Sequence, residues 1–147
     1  MHIEIMNEAD CLAFIRGERT GRLACSSNNR PYVVPVHYVC SGSSIISFSM
    51  PGQKLEFMRV NPNVCLEVDS VNSARSWKCV VVQGVFVELT TTEDKQDAWE
   101  VLQKYNDWWE VGSQHVRPEQ QDGTREPIFF SISIDLITGR RSRSAEA

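Results

Sequence analysis

From Phe48 to Lys54 the sequence reads Phe-Ser-Met-Pro-Gly-Gln-Lys, and here a predicted strand runs into a predicted helix. A hydroxyl (Ser49), an amide (Gln53), an ammonium (Lys54) and free backbone N–H groups are thereby gathered around one helix N-terminus. Such a terminus binds anions through its unpaired donors and its dipole. A phosphate fits this segment; so does a capped surface helix with Lys54 in solvent. The two familiar phosphate loops, G-x-G-x-x-G and the P-loop, are absent. His37 offers a hydrogen bond or a proton from a strand, where a lone histidine more often serves as a core or rim residue. His2, His37 and His115 lack metal-ligand spacing and no cysteine joins them, so no metal site is expected. The five cysteines, Cys11, Cys25, Cys40, Cys65 and Cys79, form no C-x-x-C pair, and an odd number makes no disulfide framework. Cys65 and Cys79 lie in apolar strands and read as small hydrophobes with inert thiols.

The elements that position these residues are short. Asn7 to Arg16 predicts a first helix, with Asn7 as N-cap and Cys11, Leu12, Phe14 and Ile15 on its apolar face. Leu23 to Cys25 and Tyr32 to Val39 are strand-like and separated by Ser26 to Pro31, a run of turn formers, which predicts a hairpin. Ile45 to Ser49 follows as a third strand, with Ile46 and Phe48 on one face and Ser47 and Ser49 on the other. A helix over about Gly52 to Val60 is stopped by Asn61-Pro62. Val64 to Asp69 and Trp77 to Leu89 are the next strands, and Gly84 within the second marks a bulge or a close backbone approach. Thr90 and Glu93 have capping-box spacing, and Ala98, Val101, Leu102 and Tyr105 continue as a helical face. Trp99 reads as a packing residue on that helix. Asn106 to Pro127 has no sustained period and reads as a long loop, where Trp108 and Trp109 call for a cover. Phe130 to Leu136 alternates apolar and polar residues like a half-buried antiparallel strand. Six short strands with few helices are too many for a βαβ sheet and predict a mainly β chain, a small antiparallel barrel whose closure removes exposed edges; the resemblance given below makes it a split barrel.

With 147 residues, 41% of them hydrophobic, the chain is sized for a single domain spanning 1–147. No apolar run approaches the roughly 20 residues of a membrane span, and no basic-then-apolar leader opens it. A soluble, cytoplasmic protein with reduced thiols and no membrane partner is expected. A net charge of -4 gives no general attraction to nucleic acid, so no such partner is expected. Arg141 and Arg143, with Arg140 beside them, read as a solvated tail.

The order Pro31-Tyr32-Val33-Val34-Pro35-Val36-His37-Tyr38, Ile46-Ser47-Phe48-Ser49, Gly52-Gln53-Lys54-Leu55-Glu56 and Asn61-Pro62-Asn63-Val64-Cys65-Leu66-Glu67-Val68-Asp69 resembles the flavin split-barrel proteins related to pyridoxamine 5'-phosphate oxidase. Within that family, Trp77-Lys78-Cys79-Val80-Val81-Val82-Gln83-Gly84 and Ile137-Thr138-Gly139-Arg140 are similar to the nitroimidazole-resistance (Nim-type) branch. The resemblance runs from about Asn7 to Arg140. It implies FMN, with FAD possible, whose phosphate is held by Ser49, Gln53 and Lys54. It further implies a ring lying along Val34, Pro35, Val36 and His37 with Phe48 beside it, and a site completed by the strand carrying Trp77 and Cys79. A homodimer is implied as well, with the flavin between subunits and the Trp108–Trp109 loop over the partner's flavin. The activity implied is a flavin-dependent oxidoreductase that reduces a small electrophile, such as a nitroaromatic or quinone, with NAD(P)H. The alternatives are a flavin-storing module and a cofactor-free split-barrel dimer, neither with turnover. The chain departs from its relatives in three respects. Nim-type members often carry His near the Ser49 position and Ser at the Cys79 position, and the oxidases proper surround the phosphate with several cations where this chain has Lys54.

Overall fold

The computed structural model describes residues 2–104 and 126–143. Within them run β1 (His2–Met6), α1 (Glu8–Gly17), β2 (Thr20–Ser27), β3 (Arg30–His37), β4 (Val39–Ser41), β5 (Ser44–Ser49), α2 (Gln53–Val60), β6 (Asn63–Ser73), β7 (Ser76–Leu89), α3 (Thr92–Gln103), β8 (Ile128–Ser133) and β9 (Leu136–Arg143). The chain is mainly β, an antiparallel split barrel. Its sheet runs β3-β2-β6-β7-β8-β5-β4, and β9 joins β7 to β1.

The hairpin of β2 and β3 turns on Asn28 and Asn29, whose φ values of 52° and 63° are those of a two-residue type I′ turn. Ser26, Ser27, Arg30 and Pro31, expected in the turn, pair across the ladder instead. Pro31 and Pro35 cannot donate to a neighbouring strand; they are tolerated because β3 is an edge strand in the described sheet.

β7 organises the rest. Along one edge it pairs with β6; along the other, Lys78 to Gln83 pair with β9 and Phe86 to Leu89 with β8. The handover falls at Gly84, where any Cβ would collide with the Ser133 carbonyl. The β6 ladder passes Gly84 without a slip and shifts instead between Val71 and Ser73, so close approach, not a bulge, is why glycine stands there.

Two apolar clusters hold the sheet. The main one, inside the barrel, includes Ile15, Leu23, Tyr38, Ile45, Leu55, Met58, Leu66, Val80, Val82 and Phe130. The second lies beneath α3 and joins Val39, Ala98, Trp99, Leu102 and Phe129. Each fully buried Leu, Ile or Phe of this kind contributes about 1.5–3 kcal/mol relative to exposure. α1 is capped by Asn7, whose side chain accepts from the Asp10 N–H at 2.8 Å, and Tyr38 Oη donates to the Ile15 carbonyl at 2.7 Å.

Several expectations are corrected. The strand predicted as Phe130 to Leu136 is two strands, and β8 buries Phe129 and Phe130 on opposite faces because α3 covers the side away from the barrel. β5 is likewise covered on both faces: Ile45 and Ser47 are buried, and Ile46 and Phe48 pack against the second cluster. The cap of α3 is Thr91, which accepts from Asp94 N–H, one residue later than expected. Arg141 and Arg143 are not a solvated tail. They lie in β9 beside β1, where Glu4 pairs with both at 2.9 Å and Arg141 also reaches Asp10 at 3.6 Å. The barrel does not close through a ladder, since the described sheet leaves the outer edge of β3 unpaired. The predicted positions of Tyr105, Trp108, Trp109 and His115 lie outside the described residues.

Candidate functional site

The open edge of β3 and the end of β5 belong together. Ser47, a buried hydroxyl, donates to the His37 carbonyl at 2.6 Å and pins the two strands at that point. β4 accompanies β5 only as far as Ile46, so Ser47 to Ser49 are paired by β8 on one side alone. The chain then turns through Met50-Pro51 into α2, which packs beneath the β2–β3 hairpin. Tyr32 meets Phe57 edge to face with centroids 5.7 Å apart, and Asn61 Nδ2 donates to Ser26 Oγ at 3.1 Å.

The N-terminus of α2 has no side-chain cap. Gly52 occupies the cap position, and the first intrahelical bond runs from the Glu56 N–H to the Gly52 carbonyl at 3.2 Å. The earlier N–H groups therefore have no partner within the helix. Lys54 stands half-buried in that first turn. Burial pushes its ammonium pKa down, the nearby Cys25 thiol partly offsetting this, and no carboxylate pairs with it among the described residues. Gln53 is exposed beside it, and Ser49 Oγ bonds its neighbour's carbonyl, that of Met50, at 3.0 Å. Open donors, an amide, a hydroxyl and an unneutralised cation make a cradle whose chemistry is that of an anion site.

Along β3 the side chains alternate. Val34 and Val36 turn toward the barrel core, whereas Pro35 and His37 are exposed on the outer face. The His37 ring is held by Thr20, whose hydroxyl lies 3.2 Å from Nδ1; burial of the ring lowers its pKa, which favours the neutral imidazole. Thr20 was not singled out in the sequence, because a threonine opening a strand looks like any other until the register sets it opposite His37. Phe48 lies in the second cluster, 5.7 Å from Phe129 between centroids.

Trp77 and Cys79 lie elsewhere. They stand on the outer sheet face, far along β7 from its α2 end. The register carries one row of that face through Pro35, Arg22, Glu67, Val81 and Thr138. Arg22 reaches both Glu67 at 3.4 Å and Asp69 at 3.1 Å, and Cys79 Sγ donates to Glu67 Oε2 at 3.2 Å. Burial first, then the Glu67 carboxylate, push the Cys79 pKa up to about 11, so its thiol stays protonated at neutral pH. Around this cluster the face is apolar: Ile5 is 74% exposed and Val71 67%, with Ile3, Val33 and Leu136 also in the open. A groove of about 530 Å³ crosses the face beside Ala24, Cys65, Gln83 and Leu136. Within one chain, then, the expected site residues form two patches: Ser49, Gln53 and Lys54 at the α2 cradle, and Trp77 and Cys79 on the outer face.

A split barrel with an unpaired strand edge beside an uncapped, lysine-bearing helix start defines the general class of this chain. The chain belongs to the pyridoxamine 5'-phosphate oxidase family, whose model matches residues 7–141. It is 37% identical over 150 residues to an uncharacterized protein of Rhizobium meliloti (strain 1021), covering 99% of each chain. Among solved structures, it resembles a FAD-binding protein of Mesorhizobium loti at 36% identity and a TM-score of 0.79, covering 97% of this chain and all of that one. A 5-nitroimidazole antibiotic resistance protein of Bacteroides thetaiotaomicron shares the fold, with a TM-score of 0.73 at 17% identity, over 96% of this chain and 89% of that one.

Proposed function

We propose that the chain is a flavoprotein, a homodimer that binds a flavin nucleotide with its phosphate on Ser49, Gln53, Lys54 and the first N–H groups of α2. The observation that carries this reading is Lys54: a half-buried ammonium without a carboxylate partner among the described residues, at a helix start without a side-chain cap. Leaving such a group uncompensated costs stability, and a bound phosphate offsets that cost. The likeness to a FAD-binding protein at 36% identity supports the same assignment.

The ring is assigned to the open edge of β3, between Val34 and His37, with Phe48 on the neighbouring strand. A strand edge offers alternating donors and acceptors to a planar heterocycle, and Ser47 fixes where that edge begins. Trp77 and Cys79 join the site from a second copy. An exposed apolar face on one chain and an open cradle on the other give each subunit a reason to cover its partner's ring. A bound flavin supplies two-electron chemistry, for which the reading assigns NAD(P)H as donor and a small nitroaromatic or quinone as acceptor. The protein's part is to orient the ring and exclude water. The protonated Cys79 takes no nucleophilic role in it. His37, neutral and held by Thr20, serves as a hydrogen-bonding group at the ring edge.

Anaerobic mixing with NADH or NADPH tests the activity. Bleaching of the bound flavin near 450 nm, reversed by adding a nitroaromatic or a quinone, is the expected result; unchanged absorbance with either nucleotide would reject an oxidoreductase and leave a flavin-binding module.

A further inference from the structure

A recess of about 330 Å³ opens where the end of α1 meets the far ends of β6 and β7. It is remote from the α2 cradle. Val85 pairs with Asn63 just past α2, and at about 3.4 Å per residue Trp77 stands about 27 Å further along β7. The size is at the lower end of sites that hold small molecules. Lys78 shares the inner side of β7 with Val80 and Val82, one step past the buried core, where Phe14 of α1 faces it. The rim is preformed. Ser142 Oγ accepts from the Trp77 N–H at 3.0 Å and donates to the Arg75 carbonyl at 2.9 Å, so one hydroxyl ties the turn end of the β6–β7 hairpin to β9.

Two opposite charges line this recess, Lys78 and Glu18, yet neither forms an ion pair among the described residues. The Lys78 ammonium lies 5.8 Å from the centre of the Phe14 ring, a cation–π contact that fixes its place without neutralising it. Arg141, the cation opposite Lys78 in the β9 ladder, is already held by Glu4 at 2.9 Å and Asp10 at 3.6 Å. Lys78 thus keeps its charge open to a ligand. Glu18, half-buried at the C-cap of α1, supplies the opposite sign. A simple anion would be repelled by the Glu18 carboxylate and a simple amine by the Lys78 ammonium, so each would lose on one wall what it gains on the other. A molecule that carries both charges satisfies both walls. Half-buried Phe14 and Trp77 add apolar surface, and Ser70, opposite Lys78 in the β6 ladder, adds a hydroxyl.

We propose that this recess binds a free α-amino acid with an apolar side chain. Its carboxylate meets Lys78, its ammonium meets Glu18, and its side chain lies against Phe14 and Trp77. The site goes beyond the flavin reading and requires neither the phosphate cradle nor a second subunit.

Calorimetric titration of the full-length protein with L-phenylalanine, 3-phenylpropionate and 2-phenylethylamine tests the proposal, because the last two each lack one of the charges. L-phenylalanine is expected to saturate one site per chain and to bind about tenfold or more tightly than either analogue. Lys78→Gln and Glu18→Gln are each expected to weaken it about tenfold, and Lys78→Gln to leave 2-phenylethylamine unchanged or bound more tightly. Lys78 is exposed, so the ligand-free variant should keep the wild-type melting temperature; it should also keep the wild-type flavin content, which separates this site from the cradle. The absence of saturable L-phenylalanine binding up to about 10 mM, equal affinity for the three compounds, or an affinity indifferent to both substitutions would overturn the amino-acid site and leave the flavin reading standing.

Discussion

Glu67 shows how a single side chain records the shape of the outer face. Its pKa is raised, chiefly by burial and then by the neighbouring Asp69, with Arg22 and the Cys79 thiol pulling the other way. A carboxyl whose folded pKa exceeds its unfolded value contributes stability below the unfolded pKa, and that contribution is lost as pH rises through the folded one. Glu67→Gln removes the penalty and keeps an acceptor for the Cys79 S–H. The melting temperature of the variant relative to wild type is expected to rise as pH is taken from about 4 upward through the ordinary carboxylate range; a difference that is flat in pH would contradict this. Tyr38 makes a second case. It is fully buried, and its hydroxyl satisfies the last turn of α1 at the Ile15 carbonyl. Tyr38→Phe should cost about 1 kcal/mol in denaturant unfolding, since the Glu18 N–H bond to the same carbonyl remains, though long at 3.4 Å.

At the level of elements, Gly84 decides whether β7 can serve β8 and β9 in turn. An added methyl meets the backbone of Ser133, which cannot rotate away. Gly84→Ala is therefore expected to destabilise the fold by about 2 kcal/mol or more, read as a fall in denaturation midpoint. An unchanged midpoint would show that the corner can relax. The glycine was legible in the sequence because it interrupts a long apolar strand, and so were the hairpin, the Asn7 cap and the helical face containing Ala98 and Leu102. Other elements were not legible, for physical reasons. β1 and the end of β9 are held by Glu4 with Arg141 and Arg143, charges from opposite ends of the chain that no local pattern connects. Two-sided burial hid the boundary between β8 and β9. Once α3 covers one face and the barrel core the other, Phe129 and Phe130 are both buried and alternation ceases to signal a single strand. The candidate site divides similarly. The cradle is contiguous in sequence and was visible as Ser49, Gln53 and Lys54, whereas Thr20 gains meaning from the register that sets it opposite His37.

For the molecule as a whole, the outer face is the uncovered surface of an isolated chain, with apolar side chains from β1, β3, β6 and β9 exposed around an ion cluster. A second copy packed there would bring Trp77 and Cys79 toward a neighbouring cradle. Sedimentation equilibrium is expected to give a two-chain mass. Val71→Asp, at an exposed position whose substitution should alter the fold of one chain by no more than about 0.5 kcal/mol, is expected to shift the protein toward the monomer and weaken flavin binding with it. A wild-type protein that remains monomeric at micromolar concentration would remove the partner from the site. The account as a whole turns on a flavin phosphate at α2, and the most direct measurement is the affinity of wild type and Lys54→Ala for FMN and for riboflavin, which lacks the phosphate. Wild type is expected to prefer FMN by about tenfold or more, and Lys54→Ala to lose most of that preference while binding riboflavin as before. Equal binding of FMN and riboflavin by the wild type, or an FMN affinity indifferent to Lys54, would contradict it.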